Sequence, residues 1–208
     1  MFSYPTPDEV LAGLGDKVVG GLANAVVAVA ADLVEYRRIA PHFVSRHSER
    51  GLANWIHDQM WSHVLRELDS IPNVSFVDKE PTRDVYVGLD YRLRVKRHSP
   101  TGAIRSYPTQ EALSFVTQQP DLLSEDGAGI VNLCVGYEWD AGSRTIGGPV
   151  MSLRDGSFDE VIWVIDVSAG SGGEGTVRPM FPTGAPKPPT IGGTPNQETN
   201  KEEGSKES

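Results

Sequence analysis

The apolar residues of this chain change their period once, and the change divides it into a helical part and a stranded part. From Leu11 to Tyr36 they recur every three or four positions (Leu11, Leu14, Val18, Leu22, Val26, Val29, Leu33, Tyr36), which puts them on one face of a helix. Thr6-Pro7-Asp8-Glu9 starts that helix: Thr6 can cap it, Pro7 suits its first turn and Glu9 completes a capping box. Gly13, Gly15, Gly20 and Gly21 weaken its first half and predict a break or hinge there, and Pro41 ends it by disfavouring helical geometry at Ala40. A second helix is expected over 49–69, where Leu52, Ile56, Met60, Val64 and Leu68 repeat every four residues.

Beyond Pro72 the pattern becomes extended. Strands are expected from Val74, over 84–87 and over 91–98, and the turn signal Pro100-Thr101-Gly102 returns the chain as a further strand over 103–107. Thr109 caps a short helix reaching about Gln118. Three more strands follow, over 130–139, 145–153 and 160–167. The last is apolar on both faces and reads as an interior strand. From Ser168 onward, Gly, Pro, Thr, Glu, Lys and Ser dominate, and such a segment cannot bury enough surface to repay its chain entropy. The expected fold is α+β: two N-terminal helices, an antiparallel meander sheet with an inserted short helix, and a disordered C-terminal tail. It divides into an N-terminal helical segment (1–48), an α+β core domain (49–167) and the tail (168–208).

A net charge of −9 argues against a general nucleic-acid or membrane coat, so any such contact is local. The lone Cys134 forms no intrachain disulfide, reads as a small buried residue and fits a reducing cytoplasm. No secretory signal is visible at the N-terminus. The apolar run 18–31 falls short of the roughly 20 residues that span a bilayer. It is expected to be a core helix, with peripheral membrane contact through 18–31 as its second use.

Charge is distributed unevenly. Segment 83–105 holds six Lys and Arg against two Asp, whereas 106–167 holds two Arg against ten acids. Alternation puts Tyr91, Leu93 and Val95 on one face of a strand and Arg92, Arg94 and Lys96 on the other, a cationic stripe. With Arg83, Arg97 and Arg105 these are the candidate partner- or phosphate-binding residues. Tyr86, Tyr91 and Tyr107 lie nearby as possible stacking residues for a single strand, and Trp61, if exposed, would be an aromatic anchor for a partner. The alternative is pairing of the stripe with the chain's own acidic half, or an ordinary solvated sheet face.

No complete catalytic motif is present. Glu80, Asp84, Asp90 and Lys96 lie in or beside a strand pair, as in the metal-dependent restriction-like endonucleases, whose chemistry needs two carboxylates on a metal and a Lys near the activated water. The carboxylate expected two residues before the Lys is replaced by Arg94, so this would be a degenerate nuclease. The five histidines lack metal-ligand spacing, and neither a Gly-x-Ser-x-Gly elbow nor a phosphate-binding Gly-rich loop occurs in the folded part. No metal or cofactor is expected.

Six stretches carry a resemblance: Gly51 to Asp58, Glu80 to Asp84, Tyr91 to His98, Ser106 to Gln110, Gly136 to Asp140 and Ser152 to Gly156. Together they resemble a group of actinobacterial and phage proteins encoded beside a partner that joins an XRE-type helix-turn-helix to an ImmA/IrrE-type metallopeptidase-like domain. The resemblance covers about residues 50–167. It implies a toxin–antitoxin or phage-defence module in which the partner is the antitoxin and this chain its toxin-like mate, with the cationic stripe as a docking surface. It brings no catalytic residues with it. A third reading is a non-toxic phage regulatory or structural protein.

Overall fold

In a computed structural model, which describes residues 3–79, 82–118 and 129–168, helices pack against one six-stranded sheet. Helix α1 (Pro7–Leu14) begins with the expected capping box: Thr6 Oγ1 accepts from the Glu9 amide, and Glu9 Oε2 accepts from the Thr6 amide at 2.7 Å. The expected break falls at Gly15, whose φ of 77° suits a residue without a Cβ, and α2 (Asp16–Ile39) follows. Pro41 opens the short α3 (Pro41–Arg46), and Ser48 caps α4 (Glu49–Leu68). The helical half thus has four helices rather than two, because Gly15 and Pro41 each interrupt the backbone.

The strands are β1 (Val74–Lys79), β2 (Thr82–Val87), β3 (Tyr91–His98), β4 (Val131–Asp140), β5 (Thr145–Arg154) and β6 (Val161–Asp166), paired in chain order. The fold is α+β and the sheet mostly antiparallel, as expected, with one exception: β3 and β4 run parallel, in register from Tyr91↔Val131 to His98↔Glu138. A parallel pair needs a crossover, and this one carries α5 (Gln110–Val116), capped by Thr109. The further strand expected over 103–107 does not form. After the turn at Gly102, only Ile104 makes a bridge, to His98, before the chain leaves to cross the sheet face. Nor is β6 interior; among the described residues it is an edge strand, and Trp163 on its core side donates its indole N–H to the Pro5 carbonyl at 2.9 Å.

The main core lies between the helices and one sheet face. Val18, Leu22, Val26, Val29 and Leu33 of α2 meet Leu52, Ile56, Met60, Val64 and Leu68 of α4, together with Leu93, Val95, Leu133, Val135, Met151 and Leu153 of the sheet. Residues of 1–48 and 49–167 therefore share one core. Each such aliphatic side chain contributes roughly 1.5–3 kcal/mol on burial. Gly21 permits the close approach of α4, since a Cβ there would lie 2.5 Å from Leu68 Cδ2. By length and composition α2 could cross a membrane, but its apolar face is spent on this core. Cys134 is buried and free. The tail expected over 168–208 lies, apart from Ser168, outside the described residues, as does Glu80.

Candidate functional site

The other face of the sheet is polar, covered and dominated by cations. Alternation along β3 sends Arg92, Arg94 and Lys96 to it, as expected, and His98 with them, and the register adds Asp84 from β2, Cys134 from β4, and Ser152 and Arg154 from β5. The stripe does not stand free. Helix α5 lies over it, and Ala112, Phe115 and Val116 form a second small core with Ile104, Cys134 and Phe158.

Asp84 sits opposite Arg94 in the β2–β3 hairpin and is 2 % exposed. Its Oδ1 accepts from Arg94 Nε at 2.7 Å, and its Oδ2 accepts from Arg94 Nη2 at 3.0 Å and from Arg92 Nη2 at 2.6 Å. Burial pushes the Asp84 pKa up, but the hydrogen bonds and charges of Arg94 and Arg92 outweigh it and hold the carboxyl below its ordinary range. Phe115 of α5 caps both guanidinium groups, with ring-centre distances of 4.2 Å to Arg94 and 5.4 Å to Arg92. Arg94, 6 % exposed, is therefore an internal ion-pair partner, and the expectation that it projects freely toward another molecule is corrected. The register placed a carboxylate directly across from it.

Lys96 is half-buried, and its Nζ donates to Ser106 Oγ at 3.1 Å. Burial lowers its pKa because the charged form loses hydration. Arg154 is 1 % exposed; it donates to Ser152 Oγ and to the carbonyls of Phe158 and Gly102. It thereby ties the 102 turn to the 158 loop. Among the described residues, neither Lys96 nor Arg154 has a carboxylate within ion-pair distance.

The remaining candidates are dispersed. Arg83 pairs with Asp58 of α4 at 2.6 Å and with Asp78 at 3.2 Å. Arg97 lies over the Trp139 ring near Glu49 of α4. Arg105 is exposed on the loop before α5. Trp61 is buried, donates its indole N–H to Asp78 at 3.0 Å and meets Phe76 edge-on, so it is no exposed anchor. Asp90 lies exposed in the β2–β3 turn, and among the described residues no three His, Cys, Asp or Glu side chains gather to hold a metal.

Sequence reasoning missed Arg154 and His98 as members of this layer. Their signal was present: Ser152 and Arg154 are polar positions alternating with Met151 and Leu153, which marks a sheet face opposite the main core. Beside the layer, Ile104 to Pro108, Leu113 and Ser157 to Asp159 enclose a cleft of about 470 Å³. No family model, no curated protein and no solved structure matches this chain.

Proposed function

We propose that this protein binds nucleic acid beside a nuclease-type hairpin whose metal position is filled by an arginine, with the exposed Arg105 as its outer phosphate contact. One observation carries the reading: Asp84 and Lys96 lie on adjacent strands and one face, with Arg94, two residues before the Lys, occupying the place of the second carboxylate. The elements around them are a helix, a three-stranded meander and a crossover helix into a parallel strand. A guanidinium in that position neutralises Asp84 and displaces a cation, so the hairpin keeps the position of a nuclease site without its metal chemistry. Local cationic groups remain to meet phosphate, with Arg105 fully outside the ion pairs described above. The wild-type chain is expected to retain a labelled single strand on a filter at low salt, to lose it as salt rises, and to leave it uncut with magnesium present. Absence of retention at low salt, or cleavage dependent on magnesium, would overturn the reading.

A second reading is favoured by a separate observation. Val27 and Val34, one heptad apart on α2, are exposed, as are Ile39 at its end and Phe43 on α3. This is an apolar surface suited to a protein partner, and it fits a cytoplasmic toxin-like component of a two-gene module that binds a helix-turn-helix protein. The partner would then dock on α2 and α3 rather than on the covered arginines. Expression of the chain alone should arrest growth, the neighbouring gene should relieve the arrest, and Val34→Glu should abolish that relief. An arrest relieved equally well in the variant would remove this surface from the interaction.

A further inference from the structure

The cleft beside α5 has walls of two kinds. On one side the loop from Ile104 to Pro108 brings Arg105, Ser106 and Tyr107, and on the other come Ser157, Phe158 and Asp159. Its volume of about 470 Å³ is in the range of small-ligand sites, which run from roughly 300 to 1,000 Å³. Directly behind the wall lies Lys96, with its Nζ on Ser106 Oγ and 4.9 Å from the centre of the Phe158 ring. Arg154 braces the same wall through the Phe158 carbonyl.

The charge balance behind this wall is incomplete. Asp84 is committed to Arg92 and Arg94, and Glu111 reaches only Arg94, at 3.7 Å. Lys96 and Arg154 are left with neutral partners, Ser106, Ser152 and two carbonyls. Cys134 between them supplies no negative charge near neutral pH, because burial pushes its thiol up to about 11. Buried cations are ordinarily matched by an anion, since desolvation is otherwise uncompensated. Ser106 and Phe158, which contact Lys96 and Arg154, also line the cleft, so an anion seated there lies against the wall that both cations brace. Asp159 also lines the cleft and acts electrostatically on Arg154, which leaves Arg105 and Ser106 as the lining groups that attract an anion. On that same side Tyr107 is 87 % exposed, a flat ring held out at the cleft rim.

We propose that this cleft is a nucleotide subsite, in which a phosphate is held by Lys96, Ser106 and Arg105 while the adjoining base stacks on Tyr107. It deepens the nucleic-acid reading and rests on it for its biological ligand, a phosphate-bearing strand end or a free nucleotide. Lys96 has two further protons to give, the Ser106 hydroxyl can relay one more, and Arg105 supplies the outer contact. Ring-on-base stacking tolerates any base.

The test titrates adenosine monophosphate and inorganic phosphate separately into the full chain and into two variants, Lys96→Met and Tyr107→Ala. Replacing the half-buried Lys96, which has no carboxylate partner, by a side chain of similar length is expected to leave the fold intact, and thermal unfolding checks that it has. Tyr107→Ala is expected to weaken the nucleotide about tenfold and to leave phosphate unchanged. Lys96→Met is expected to weaken both about tenfold or more. Competition by the nucleotide against a 5′-phosphorylated strand, but not against a 5′-hydroxyl strand, assigns the cleft to strand ends; competition against neither assigns it to the free nucleotide. The proposal falls if millimolar nucleotide does not bind the wild type, or if Lys96→Met binds it as tightly. Persistent strand retention in that case discards the subsite and leaves the broader binding function standing.

Discussion

Asp84→Ala is expected to cost about 3–5 kcal/mol of folding stability, among the largest effects a single substitution in this chain can have. The carboxylate is buried and takes bonds from two guanidinium groups, one of which, Arg94, is itself enclosed beneath Phe115. Removing it leaves Arg94 charged and desolvated, with only the half-exposed Glu111, 3.7 Å away, to balance it. The pair as a whole contributes far less than its rupture costs, since both charges lose hydration on folding. Asp84→Leu combined with Arg94→Met should therefore recover most of the loss. Urea unfolding of the single and double variants measures both quantities. A loss below about 1 kcal/mol in the single variant would mean that water already reaches Arg94, and the covered layer would have to be redrawn.

The same pair shows where the sequence was legible and where it was not. Local signals were sufficient for Thr6 and Glu9 at the first helix start, for the four-residue spacing through Leu68, and for the side of β3 on which Arg92, Arg94 and Lys96 lie. Each depends on residues a few positions apart. What covers that side depends on the path of the chain after His98, and there the local signal misled. Pro100-Thr101-Gly102 does make a turn, with the Gly102 amide on the Ser99 carbonyl, which ordinarily announces a hairpin. Pairing stops after Ile104, however, and Pro108 has no amide to continue a ladder, so the segment crosses the face and delivers Phe115 onto the arginines. The apolar pattern of β6 misled for a related reason: Trp163 is shielded by the distant Pro5 rather than by a seventh strand. In both places a long-range contact, invisible in a short window, decided what a side chain meets.

Acid should unfold this protein over a range set largely by His98. The ring is completely buried, with Nε2 2.9 Å from Ser152 Oγ, and Arg154 Nε donates to the same oxygen at 3.2 Å. The serine hydroxyl accepts from Arg154 and still has its own proton to give, so a neutral imidazole accepting at Nε2 is compatible with both bonds. A protonated ring would be a desolvated charge beside Arg154. Burial first, and Arg154 second, accordingly lower the His98 pKa to about 3. The folded value lies below the unfolded one of about 6.5, so unfolded chains take up the proton first. The stability contribution is complete above about pH 6.5 and is lost as pH falls toward the folded value, at about 1.4 kcal/mol per pH unit, or roughly 2 kcal/mol by pH 5. His57, whose pKa burial also lowers, acts in the same direction, so the comparison must isolate one ring. His98→Gln keeps a side chain able to accept from Ser152 and cannot titrate. Its stability at pH 7 should be lower than that of the wild type, while its slope between pH 6.5 and 5 should be flatter by about 1.4 kcal/mol per unit. Parallel slopes in the two proteins would show that His98 is solvated and that the layer between Lys96 and Arg154 is open to water.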